Sequence, residues 1–532
     1  MRIKSVSVSG NGGPEAERLA VPGWRAWSVF GTRKKSGSVL LDRNSRLTCA
    51  ATLLLFLVMS TLVFAAETDV LQEAERLEES GRFRQAAAAL TAALQDQTLA
   101  GPKRKSLEFE IDRLARIRLD FPYSKDELFA ELKKSVVDIT GDEFESWVKE
   151  GRFDSREIDG ELRFMGSSVS NLFFRYPELN PRRIPVKDTT ALDKAHYEAV
   201  VAIKKAALAE KKPYVLPKRF HMTMTVRAKP GAAPADAIIR AWLPIPREYP
   251  FQSGIELLEF SSTPKEIAPP DSPIRSVYFE QPARKDQPTE FKVVYEYTKS
   301  GVYFGPEAAR VLSCPNDPAL KPYLGEAPHI VFTPELRALS QQIAGGETND
   351  CVKAKKFYEW IAGNIKYSYA IEYSTIRNIS EYCRAHGYGD CGQEALLFMT
   401  LCRLNGIPAR WQSGWDTFPN ATTIHDWCEI YLAPYGWIPV DPYMGIYAMR
   451  YATTLKDEQR REIRDFFFGG QDWYRMAANS EHSQTLTPPK HSMRSDDVDF
   501  QRGELEWGEH NIYFNQYSHH LDWKEVKSGP KE

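Results

Sequence analysis

Residues 387–410, GYGDCGQEALLFMTLCRLNGIPAR, place a cysteine at the junction between a tight-turning segment and a run of helix formers. GYGD supplies the turn, Asp390 is a helix N-cap, and the apolar run closes on Gly406 and Pro408, so the pattern predicts a helix with Cys391 in its first turn. There, unpaired backbone N–H groups and the positive end of the helix dipole favour a thiolate over a thiol. A structural cysteine gains nothing from that place. A nucleophile gains a lower pKa and backbone donors for an oxyanion.

A nucleophilic thiol needs a base. His425 opens the predicted strand HDWCEIYL, APYG turns the chain near Pro434, and WIPVDPY returns as a second strand. Folding this hairpin brings Asp441 within about two residues of the position opposite His425. Diagonal neighbours on one face lie roughly 7–8 Å apart, within side-chain reach. A carboxylate can then orient the imidazole, which is the nucleophile, base and orienter arrangement of thiol and serine hydrolases.

At these residues the chain resembles the transglutaminase-like core of the papain-type thiol enzymes: Cys391 in GDCGQEALLFMTLCRLNGIPAR, His425 in HDWCEIYL and Asp441 in GWIPVDP. KKFYEWIAGNIKYS resembles the helix that opens this core, and RAWLPIPREYPFQ resembles strands of a β-domain that precedes it in bacterial members. The resemblance implies Cys391 as nucleophile, His425 as general base and then acid, and Asp441 as the group that fixes the imidazole. It also implies a thioester and an aromatic oxyanion donor upstream of the cysteine, for which Tyr388 is the nearest candidate.

The 532 residues suggest roughly three to four units of ordinary domain size. The expected fold class is α+β and multidomain. Residues 67–200 read as a helical region, opening with a hairpin broken at SGRF that resembles one tetratricopeptide unit; one copy implies packing, not a solenoid. Residues 214–306 alternate apolar and polar in five stretches and read as an antiparallel β-sandwich. Residues 330–450 hold the thiol core, with the cysteine helix packed on an antiparallel sheet, and 451–532 form an aromatic-rich extension without a clean period.

Residues 46–69, RLTCAATLLLFLVMSTLVFAAETD, form an apolar run behind Arg43 and Arg46 that closes on small residues. Together with the polar segment before it (1–66), it reads as a signal peptide cleaved near Ala65 or Ala66, or as an anchor spanning 47–66. The chain is therefore expected in the periplasm or outside the cell, touching a membrane only if that segment is retained. Cys49 precedes the apolar run, which excludes lipoprotein acylation at that cysteine.

The formal net charge of −2 provides no field that would draw nucleic acid. The expected partner is a protein, peptide or other amide substrate, with no nucleic acid and no cofactor. No metal is expected either. Cys383, His386, Cys391 and His425 or Cys428 do not follow zinc-site spacing, and no acidic loop of calcium-ligand type is visible. Six cysteines outside the signal are too few for a disulfide scaffold. Cys402 and Cys428 read as core, and Trp411, Trp415, Trp427 and Trp437 as packing around the small sheet.

The expected activity is thiol-dependent amide-bond chemistry, as a cysteine peptidase or amidase. The alternatives are a protein-glutamine acyltransferase that cross-links, a binding scaffold with a retained core, or an enzyme kept latent by the tail EHNIYFNQYSHHLDW covering the cleft until a partner moves it.

Overall fold

The computed structural model describes residues 70–186 and 188–527. The signal or anchor read in 1–66 lies outside the described residues. Among the described residues, no helix is long and apolar enough to cross a membrane.

The expected helical hairpin is present as helices 70–79 and Phe83–Ala93, with Gly81 at φ 74° in the SGRF break. Its apolar stripe, Leu77, Phe83, Ala86 and Leu90, packs on Leu107, Leu114 and Ile117 of the helix Gly101–Asp120. Helices Lys125–Ser135 and Gly141–Lys149 start where their sequences supply hydroxyl caps: Ser124 and Thr140 accept the N–H groups of Glu127 and Glu143 at 3.3 and 3.2 Å. A longer helix, Thr190–Glu210, buries Ala199, Val200, Ile203 and Ala207 against the neighbouring sandwich.

All five alternating stretches are strands, and they form two antiparallel sheets. One sheet runs Gly470–Gln471, Thr289–Tyr303, Tyr214–Ala228 and Tyr517–Val526, with Gln252–Phe260 also paired to Thr289–Tyr303. The other runs His510–Ile512, Glu504–Trp507, Ile238–Pro244, Ser276–Pro282 and Glu266–Ile267. Phe220, Met222, Met224 and Val226 alternate inward from one sheet to meet Ile239, Ala241, Leu243 and Phe279 from the other. Strands from the C-terminal extension thus sit in both sheets. Its alternation is invisible in sequence because each of these strands is short or half-exposed.

The third sheet carries His425. It runs Gly436–Val440, Thr423–Leu432, Ala409–Asp416 and Arg475–Asn479, all antiparallel. Against it packs the helix Cys391–Leu404, whose side chains are almost all buried. The fourth strand again comes from the extension, and its pairing demands a glycine. A Cβ on Gly414 would lie on the carbonyl oxygen of Met476, with no flexible side chain to yield. Gly414→Ala is therefore expected to pry Arg475–Asn479 from the sheet and lower the thermal midpoint by several degrees, about 1–3 kcal/mol of overpacking cost, read by thermal melting.

Candidate active site

Cys391 is the first residue of its helix. Asp390 caps it, accepting the Gln393 N–H at 3.2 Å while the Gln393 amide oxygen accepts the Asp390 N–H at 3.3 Å. This reciprocal box fixes the entry angle of the chain. Gly392 lets the helix start close to its neighbours, because a Cβ there would collide with the Tyr373 hydroxyl and Asp426. The Tyr373 hydroxyl in turn donates to Asp390.

His425 lies on the strand Thr423–Leu432 and Asp441 directly follows its neighbour Gly436–Val440, capping the short helix Pro442–Ile446, in the register expected of the hairpin, since Cys428 pairs with Val440. His425 Nε2 and Asp441 Oδ2 are 2.8 Å apart and both residues are buried. That contact leaves Nδ1 as the ring nitrogen not engaged by the carboxylate. Asp441 also accepts the Met444 N–H at 3.1 Å and Arg475 Nε at 2.9 Å. Burial alone would raise its carboxyl, but the charges of His425 and Arg475 outweigh burial and hold it below the ordinary carboxylate value. Trp427 stacks on the imidazole at 5.6 Å and Tyr443 meets it edge-on at 5.5 Å, which restricts its rotation.

Cys391 and His425 line one cavity of about 100 Å³. Tyr367, Asp416 and Tyr443 share its wall, and the helix Thr190–Glu210 closes it with Leu192 and His196. His196 stacks on Phe418 at 3.7 Å, and burial pushes its pKa down to about 4, so it is neutral at neutral pH.

The Cys391 thiol differs from the sequence expectation. Burial pushes it well above its ordinary value, and the carboxyls of Asp426 and Asp390 push the same way. A helix terminus contributes only about 0.3–2 kcal/mol in favour of the anion, and here burial wins. The thiol's Sγ lies 3.6 Å from Asp426 Oδ2. Asp426 is itself raised well above its ordinary value, by burial first and then by Asp390 and Asp496. The amide of Gln501 donates to Asp426 and, at 3.1 Å, to the His425 carbonyl. The extension thus reaches the site through Arg475 and through the segment around Gln501. EHNIYFNQYSHHLDW instead lies largely on the edge strands of the sandwich.

Tyr388 is not positioned as an oxyanion donor. Its hydroxyl donates to Asp154 at 2.5 Å and its ring lies under Arg175 at 3.5 Å. The physical reason is strand alternation. Tyr388–Gly389 pairs in parallel with Lys366–Tyr367, Tyr388 opposite Lys366 and Gly389 opposite Tyr367, so Tyr367 stands on the other face, toward the cavity. Tyr367 was present in the motif IKYS but had no periodicity to single it out. Asp416, His196 and Arg475 were also missed in sequence, because each reaches the site from a different element.

All six cysteines among the described residues are free. Cys402 and Cys428 are buried core, as are Trp411, Trp415 and Trp427, while Trp437 packs under Arg410 at 4.2 Å. Among the described residues, no three His, Cys, Asp or Glu side chains converge as metal ligands.

Residues 337–442 match the family model of the transglutaminase-like superfamily, so this part of the chain is a transglutaminase-like domain. An uncharacterized protein of Haemophilus influenzae is 25% identical over 172 residues, which cover 28% of this chain and 46% of that protein. The chain thus spans about half the length of this curated relative. A crystal structure from Cytophaga hutchinsonii described as a "Putative Cysteine Protease" aligns at 14% identity with a TM-score of 0.36, covering 59% of this chain and 93% of that one. The periplasmic domain of TgpA from Pseudomonas aeruginosa aligns at 17% identity with a TM-score of 0.23, covering 44% and 93%.

Proposed function

We propose that the protein is an exported thiol-dependent amide-bond enzyme in which Cys391 is the nucleophile, His425 the base and then the acid, and Asp441 the group that orients the imidazole. The observation that carries this reading is the 2.8 Å contact between His425 Nε2 and Asp441 behind a cavity that Cys391 and His425 share. Export rests on the apolar run at 46–69.

Because the resting thiol keeps its proton, His425 must remove it as sulfur attacks the amide carbonyl. Nδ1 takes the proton, the S–C bond forms, and the carbonyl electrons move to oxygen. The Cys391 backbone N–H and the Tyr367 hydroxyl are the donors available to that oxyanion. The imidazolium, stabilised by Asp441, then protonates the leaving amine, and a thioester remains on Cys391. Water activated by the same imidazole resolves it. A cavity of only about 100 Å³ favours water over a bulky amine, which supports a cysteine peptidase or amidase over an acyltransferase.

Tyr367→Phe is expected to lower kcat by about 10²-fold with little change in KM, as loss of one oxyanion donor does, whereas Tyr388→Phe should leave kcat near the wild-type value. The reading is tested by acid-quenching the protein with a panel of peptide amides, with and without a primary amine, and analysing it by peptide mass mapping. An acyl group on Cys391 and released acid are expected. Absence of any adduct with unchanged substrates contradicts the reading, and amine-linked product in place of acid selects the acyltransferase.

A further inference from the structure

Asp416 ends the strand Ala409–Asp416 and lines the cavity that holds Cys391 and His425. It is buried to 7% exposure. Oδ1 accepts the Phe418 N–H at 3.0 Å, whereas Oδ2 takes no hydrogen bond and lies 3.8 Å from the Arg475 guanidinium. That guanidinium already bonds Asp441 at 2.9 Å through Nε and Asp472 through Nη1. Three carboxylates therefore share one cation, and Asp416 is the one held most loosely. His196, also in the wall, offers no charge at neutral pH. Burial raises the Asp416 carboxyl to about 6, which leaves it ionised above that value. The rest of the wall mixes the apolar side chains of Leu192, Ile424 and Met444 with Tyr367, Tyr443 and Tyr447. Excess negative charge in a small cavity with aliphatic and aromatic sides is complementary to a cation on a short aliphatic stem.

We propose that Asp416 is a specificity residue that selects substrates carrying a primary ammonium group beside the amide that Cys391 attacks, an inference that rests on the thiol-enzyme reading above. The ammonium is carried by the acyl residue, as a side-chain or free terminal amine. An acceptor amine has the same chemistry, and the substrate arms below separate the two.

The test does not require the natural substrate. The full chain is alkylated with 2-bromoethylammonium and with 2-bromoethanol, which differ in charge at equal chain length, and modification of Cys391 is followed by mass mapping. Rates are normalised to those of glutathione. The expected wild-type preference for the cation is about tenfold or more, the scale of a hydrogen bond to a charged group. In Asp416→Asn, which keeps an acceptor for the Phe418 N–H, the preference should fall to the glutathione value. A wild-type ratio equal to glutathione's, with Cys391 reacting, overturns the ammonium selection and leaves the thiol enzyme standing; this holds even if the variant fails to fold. A Cys391 inert to both reagents overturns both. With peptide substrates, faster hydrolysis of lysyl than of norleucyl amides supports the acyl placement. Preferential capture of cadaverine by a neutral glutaminyl peptide overturns that placement.

Discussion

Cys391→Ala is expected to lower amide turnover by at least about 10⁴-fold, because single losses from nucleophile and base constellations cost on that order. Fold and stability should change little. The side chain is half-buried, its one hydrogen bond is the long contact to Asp426, and the helix cap is made by Asp390 and Gln393 and not by the thiol. The variant should also bind substrate with nearly unchanged affinity, so the loss falls on kcat. His425→Ala and Asp441→Ala should not add to it, since the three groups act in one step. Activity in Cys391→Ala within tenfold of wild type would remove the nucleophile from the account.

Arg475→Met is expected to destabilise the protein by about 3–5 kcal/mol, the scale of breaking a buried ion pair on one side. Arg475 is fully buried and is the cation among Asp441, Asp472 and Asp416. Methionine fills much of the volume and leaves three carboxyls facing each other with only His425, at Asp441, to compensate. Urea denaturation should show a lower midpoint at unchanged slope. The pH dependence follows from Asp441. Its carboxyl is held below the ordinary value in the folded protein, so its contribution is present above the unfolded pKa and is lost as pH falls through the depressed folded value. With Arg475 gone, one of the two cations that depress it is missing, and the acid loss should begin at a higher pH than in wild type.

Much of this site is legible in the sequence because it is local. The N-cap, helix formers and closing glycine around Cys391 act over a few residues, and the hairpin from His425 to Asp441 is set by one tight turn. The two long sandwich strands, Tyr214–Ala228 and Thr289–Tyr303, were equally legible, since each alternates over a long run. What sequence could not give is whatever depends on contacts across hundreds of residues. The 475–526 strands complete three sheets but are recognised only by their partners. Tyr367 faces the cavity because of a two-residue parallel pairing, and Tyr388 is drawn away by Asp154 in the helical region. The thiol itself illustrates the limit: the helix terminus is local and favours the anion, whereas the burial and the Asp426 carboxyl that overrule it come from tertiary packing.

The most direct measurement is the alkylation rate of each cysteine by iodoacetamide across pH, mapped by mass, in wild type and in His425→Ala. If His425 takes the thiol proton, Cys391 in the wild type reacts well below the ordinary thiol value of about 8.5. The buried Cys351, Cys383, Cys402 and Cys428 remain unmodified. In His425→Ala, reaction at Cys391 should appear only above that value. Equal Cys391 profiles in the two proteins, or a Cys391 that never reacts, would contradict the account.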